Sequence, residues 1–211
     1  PRKKAIYDEK AIQTLDALSH IRLRTGMYIG RLGDGSHPLD GIYVMLKEVI
    51  DNSVDEFIMN EGKRIEIERD GETIRVRDYG RGIPLGKVID CVSKINTGGK
   101  YNDDVFQFSV GLNGIGNKAV NALSRAFAVR SHRGGRYVEA TFERGRLQKE
   151  KKGRDHKAPD GTLVTFVPDD TLFEGYAFRD DHLQRRIRLY CHLNAGLRID
   201  LNGTAFVSEN G

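Results

Sequence analysis

A chain of 211 residues with 30% charged residues and a mean hydropathy of −0.50 is built for water, and no apolar run approaches the roughly 20 residues of a membrane span. Its net charge of +4 is modest and its Lys and Arg are dispersed, so composition gives no argument for tight nucleic-acid binding. Cys91 and Cys191 stand far apart without CxxC spacing, which excludes a disulfide framework and a zinc site and leaves buried reduced thiols.

The start, Pro1 to Lys4, lacks the apolar segment of a signal peptide, so a cytoplasmic location is the expectation. A first residue other than Met is expected of a piece of a longer chain. In chain order, residues 8–18 read as a short helix with Ile12, Leu15 and Leu18 on one face. Residues 38–60 read as a long helix, with Leu46, Val49, Ile50, Val54 and Phe57 near the helical period and Gly62 as its stop. Residues 64–68 and 73–78 alternate as strands around an Asp70, Gly71 hairpin turn. Helices are predicted over 85–95 and 115–124. The second half is richer in strands, at 126–130, 137–143, 147–151, 162–167 and 197–201, with turns at Gly134, Gly145 and Gly203. One more helix, 178–194, is closed by Gly196. Hairpin-linked strands beside several helices predict an α+β fold, a two-layer sandwich of a mostly antiparallel mixed sheet with helices on one face, in a single domain over 1–211.

Four spaced segments carry the chemistry. On the long helix, Glu48, Asp51, Asn52 and Asp55 fall at i, i+3, i+4 and i+7 and share one face. The alternative is a solvated polar face. Three acids at contact spacing repel, however, and no basic residue lies between them on that face, so a cation or a water network is expected to compensate. An acid and a carboxamide one turn apart suit a general base and a Mg²⁺ ligand, since Mg²⁺ takes oxygen and keeps several waters.

Asp78 ends a strand and enters Gly80, Arg81, Gly82, Ile83 and Pro84. Glycines there let the backbone approach a flat ligand, and the carboxylate suits an exocyclic amine such as that of adenine. A plain strand-to-helix turn with a capping Asp is the alternative. Gly111, Gly114 and Gly116 precede a helix whose free amides favour phosphate, with a spacing that is neither Rossmann nor Walker A. Lys100 after Gly98 and Gly99 adds a cation, and the stretch between the two glycine groups reads as a lid. Gly161 and Thr162 complete the set.

Together these segments resemble the ATPase domain of the GHKL superfamily, the Bergerat fold. They are most similar to the B subunits of bacterial type II topoisomerases. The residues that carry the likeness are 24–30, 48–56, 78–84, 111–116 and 120–124, and it runs from about Tyr7 to the end. Residues 109–116 are closer to the topoisomerase IV pattern than to that of gyrase B, which is the alternative. The resemblance implies that Glu48 polarises the attacking water and Asn52 ligates Mg²⁺. Asp78 reads the adenine amine with a water and Thr162, while Arg81, Gly82, Ile83 and Pro84 flank the base. Lys100 and the loop of Leu112, Asn113, Gly114, Ile115 and Gly116 hold the phosphates. An arm at about 1–20, with Tyr7 and Ile12, exchanges between the two copies of an ATP-bound self-dimer, and a lid covers about 98–118.

The whole enzyme implied is an ATP-dependent topoisomerase. In it, the topoisomerase A subunit completes a heterotetramer on DNA, strand passage relaxes and decatenates the duplex, and no membrane is involved. The family's catalytic Lys, on a transducer domain, is not in this chain. Departures from the pattern are Thr25 for Pro, Asn113 for the His of gyrase, Val44 for a His that orients the base, Phe106 for a lid Tyr, and Glu139 for an Arg at the pocket mouth. They bear on how Glu48 is positioned and on ligands at the mouth, not on ATP binding. A mismatch-repair ATPase or heat-shock chaperone of the same superfamily fits residues 24–30 and 111–116 less well. A non-catalytic nucleic-acid-binding module, suggested by a pI near 9.0, would not need Glu48, Asn52 and Asp78 together.

Overall fold

Apolar residues at intervals of three and four force the longest helix, α3 (Gly41–Ile58), against the rest of the chain: Ile42, Met45, Leu46, Val49, Ile50 and Val54 are all buried. The computed structural model describes residues 15–95, 97 and 114–210. Asp40, fully buried before α3, takes the amides of Gly35 (2.9 Å) and His37 (3.1 Å) and pairs with Arg31 (2.7 Å), which fixes where the helix enters. At the other end Asn60 adopts a left-handed φ of +61°, so the helix stops short of the expected Gly62.

Among the described residues the strands form one eight-stranded mixed sheet in the order β5-β4-β3-β6-β2-β1-β7-β8. They are β1 (Arg64–Asp70), β2 (Thr73–Asp78), β3 (Ser124–Arg133), β4 (Arg136–Glu143), β5 (Arg146–Arg154), β6 (Gly161–Pro168), β7 (Arg198–Leu201) and β8 (Thr204–Val207). Every neighbouring pair is antiparallel except β1 with β7. Alternation sends Ile65, Ile67, Ile74, Val76, Val129, Ala140, Val164 and Phe166 to the face that the helices cover. That is the α+β sandwich expected from the sequence.

The remaining helices are α1 (Ala17–Leu23), α2 (Thr25–Ile29), α4 (Val88–Ser93), α5 (Gly116–Ala122) and α6 (Asp180–Leu193). Of the expected helix at 8–18, residues 8–14 lie outside the described residues; within them α1 begins at Ala17, where Asp16 caps it by accepting from Leu18 and Ser19. The expected helix at 85–95 starts as a 3₁₀ turn, Leu85–Lys87, and ends at Ser93. The short helix α2 and the edge strand β8 had no separate signal.

Candidate functional site

Asp78 closes β2 on the covered face of the sheet and is 7% exposed. Its Oδ1 accepts from the backbone amides of Gly80 and Thr162, each at 3.0 Å, so Thr162 meets Asp78 through its main chain. Neither bond uses Oδ2. Burial, only partly offset by those amides, raises the carboxyl to about 6.

The loop beyond it is pinned on both sides. Gly82 sits at φ +71°, and a Cβ there would lie 2.5 Å from His132 O and 3.1 Å from Gly161 O, so no other residue fits this close approach. Ser131 Oγ donates to Ile83 O at 2.7 Å, just before Pro84. Arg81 makes a forked pair with Glu56 at 3.1 and 3.0 Å, and its backbone amide donates to the same carboxylate at 2.9 Å. Arg133 reaches the loop at Gly82 O (3.3 Å). Glu139, on the next strand, pairs with Arg130 at 2.8 Å.

The second loop meets the same helix. Gly116 opens α5, and a Cβ there would lie 2.4 Å from Glu48 Oε2, so the acid of α3 rests directly on the start of the helix behind the glycine loop. Gly114, at φ +60°, and Ile115 lead into it. Asn52 Nδ2 donates to Glu48 O at 2.6 Å, and its side-chain carbonyl oxygen is the atom type that a hard cation takes. Lys118, 3% exposed, donates to Thr97 O at 2.8 Å and to Gly114 O. The sequence gives no cue to it, because a single Lys inside a helix looks like surface. Lys100, Leu112 and Asn113, with Phe106, Tyr7 and Ile12, lie outside the described residues.

The acidic face of α3 is compensated from within. Lys47 donates to Asp51 Oδ2 at 2.5 Å and stands 3.7 Å from Glu48 Oε1, while the hydroxyl of Tyr190 on α6 donates to Asp51 Oδ1. The compensating cation is Lys47, one turn before Asp51, although no basic residue lies between the acids on that face. Asp51 therefore belongs to a structural network. Burial and the Asp51 charge hold the Tyr190 phenol well above its ordinary range.

One helix thus serves both loops. Glu48 touches the start of α5 and Glu56 holds Arg81, and eight residues of helix separate them by roughly 12 Å.

Residues 38–171 match the family model for the histidine kinase-, DNA gyrase B- and HSP90-like ATPases. The chain is 59% identical to the DNA topoisomerase 4 B subunit of Borreliella burgdorferi, over 97% of this chain and 34% of that protein. It is 34% identical to the DNA gyrase B subunit of Thermotoga maritima, over 92% of this chain and 31% of that one. It is 37% identical to the DNA topoisomerase 4 B subunit of Staphylococcus aureus, over 95% and 31%. The chain spans about a third of the length of these relatives. A crystal structure of the 43K ATPase domain of Thermus thermophilus gyrase B, in complex with an aminocoumarin, matches with a TM-score of 0.75 at 26% identity, over 91% of this chain and 51% of that one.

Proposed function

The chain belongs to the family of histidine kinase-, DNA gyrase B- and HSP90-like ATPases, and on that premise we propose that it binds Mg-ATP along α3 and hydrolyses it. The observation that carries this reading is that one helix touches both loops, with Glu48 against Gly116 at one end and Glu56 holding Arg81 at the other. Asp78 accepts the adenine amine, most simply on Oδ2, while Gly82 lets the base approach the backbone. Pro84, Ile83 and Arg81 flank it. Gly114, Ile115 and the amides that open α5 take the phosphates. Glu48 takes a proton from the attacking water.

The donor set suits Mg²⁺. Asn52 brings one oxygen, and the described residues hold no cluster of three His, Cys, Asp or Glu side chains that would compete with phosphate and water for the ion. Bound there, Mg²⁺ would neutralise phosphate charge. Lys100, Leu112, Asn113 and Thr162 complete the proposed contacts.

At 59% identity the chain resembles the B subunit of topoisomerase IV more than that of gyrase. In the full-length protein, ATP binding closes a self-dimer on DNA, the topoisomerase A subunit completes the assembly, and hydrolysis resets it in the cytoplasm. The test is Glu48→Ala in the full-length protein. Calorimetry with a non-hydrolysable ATP analogue should show retained affinity, while turnover falls by roughly 10²–10⁴-fold. Loss of affinity in a folded variant would make Glu48 a binding residue instead.

A further inference from the structure

A general base works only when its carboxylate is held in line, and the residues one turn away from Glu48 on α3 bring no side-chain cation to it. Val44, one turn before, has no polar group. Asn52, one turn after, donates its amide to the backbone oxygen of Glu48. Asp51, at i+3, repels it.

One cation stands at the adjacent residue. Lys47 Nζ is 2.5 Å from Asp51 Oδ2 and 3.7 Å from Glu48 Oε1, so it is anchored on the first acid and attracts the second. The anchor is rigid. The Asp51 side chain is 2% exposed, and its other oxygen takes the hydroxyl of Tyr190 from α6. Without that anchor the long Lys stem, 41% exposed, would sample many rotamers. One oxygen of Glu48 is thus turned toward Lys47 and the other lies over Gly116.

We propose that Lys47 is the positioning residue for Glu48, held in place by Asp51 and Tyr190 and acting through the carboxylate without touching nucleotide. The inference rests on Glu48 being the general base.

It is tested by steady-state ATP hydrolysis and analogue calorimetry on the full-length protein carrying Lys47→Met, Lys47→Arg, Tyr190→Phe or Glu48→Ala. Lys47→Met should lower kcat by roughly 10-fold or more, the scale of outer-shell partners, with KM and analogue affinity within about twofold. Lys47→Arg should recover most of the loss. Tyr190→Phe should show a smaller fall with the same split, roughly threefold. Wild-type kcat in Lys47→Met, a change in KM alone, or no recovery with Arg would overturn the proposal. Should Lys47→Met fail to fold, Tyr190→Phe removes one hydroxyl and no charge, and an unchanged kcat there is equally fatal. Glu48→Ala separates the two ideas. If it abolishes turnover while Lys47→Met does not, only the positioning role falls. If Glu48→Ala turns over normally, the base assignment falls and the positioning role with it.

Discussion

Asp78 pulls stability and binding in opposite directions. Its folded-state value of about 6 lies above the ordinary 3.8, because burial penalises the charged form. Between those values the folded protein holds a proton that the unfolded chain has lost, so this residue's contribution to stability is full below about pH 4 and is lost as pH rises through about 6. A shift of that size corresponds to roughly 3 kcal/mol at neutral pH. Asp78→Asn keeps an oxygen for the amides of Gly80 and Thr162, so the ligand-free variant should melt higher than wild type at pH 7 in a thermal scan. It should also lose about 1.5–3 kcal/mol of nucleotide affinity, since an NH₂ replaces the charged acceptor that faces the amine. Wild-type affinity itself should weaken as pH falls through about 6, by calorimetry at a series of pH values. The importance of Asp78 was legible in its place at a strand end before two glycines. Its burial was not, because that depends on Thr162, whose amide closes over it from a strand 84 positions away in the chain.

The helix α5 makes a cleaner case at the scale of elements. Gly116→Ala improves helix propensity, yet its Cβ would sit 2.4 Å from Glu48 Oε2, at the far end of a flexible side chain that can swing aside. Stability should change by less than about 1 kcal/mol while kcat falls, and equilibrium unfolding beside steady-state turnover would separate the two effects. An unchanged kcat would mean that the acid does not work from its place over Gly116. Elements with a strong period or a turn dipeptide were readable. The stripe of α3, the β1–β2 hairpin at Gly71 and the turns at Gly134, Gly145 and Gly203 all form. What stayed hidden was set by distant partners. Helix α1 starts where Asp16 bonds Ser19, and its Arg22 is then fixed by Ala122 O and Asp169, long-range contacts that local propensity does not register. The strand β8 has four residues and one sheet neighbour, too little alternation to stand out. Lys47 stands one turn before Asp51, at i and i+4, so that pair was within reach of the sequence; its approach to Glu48, the next residue, depends on how the stem lies once Asp51 holds it.

Taken as a whole, the described residues share one hydrophobic core that runs from Leu18 to Leu201 and joins both halves of the sheet to the helices. Ligand bound along α3 should therefore stabilise all of it at once. An ATP analogue with Mg²⁺ at a hundred times its Kd should add about 2.7 kcal/mol and raise Tm by roughly 5–11 °C. With eight Tyr and no Trp, near-ultraviolet circular dichroism of tyrosine is the natural readout. Adding EDTA should shrink the shift, and an equal shift without Mg²⁺ would contradict the metal's place in the site. The strand order also has a bearing on how the protein is made. Strand β2 gains its second neighbour only from β6, and β1 only from β7, near the far end of the chain. At roughly 5–20 residues per second, a ribosome needs about 4–17 s to travel from Asp78 to Gly161. Through that interval α3 and a lone two-stranded hairpin, marginal by itself in water, present Ile50, Val54, Ile67 and Val76 with no sheet to receive them. Apolar surface left open in this way is what chaperones hold, so the nascent chain is expected to lean on them for as long as α3 waits for β6.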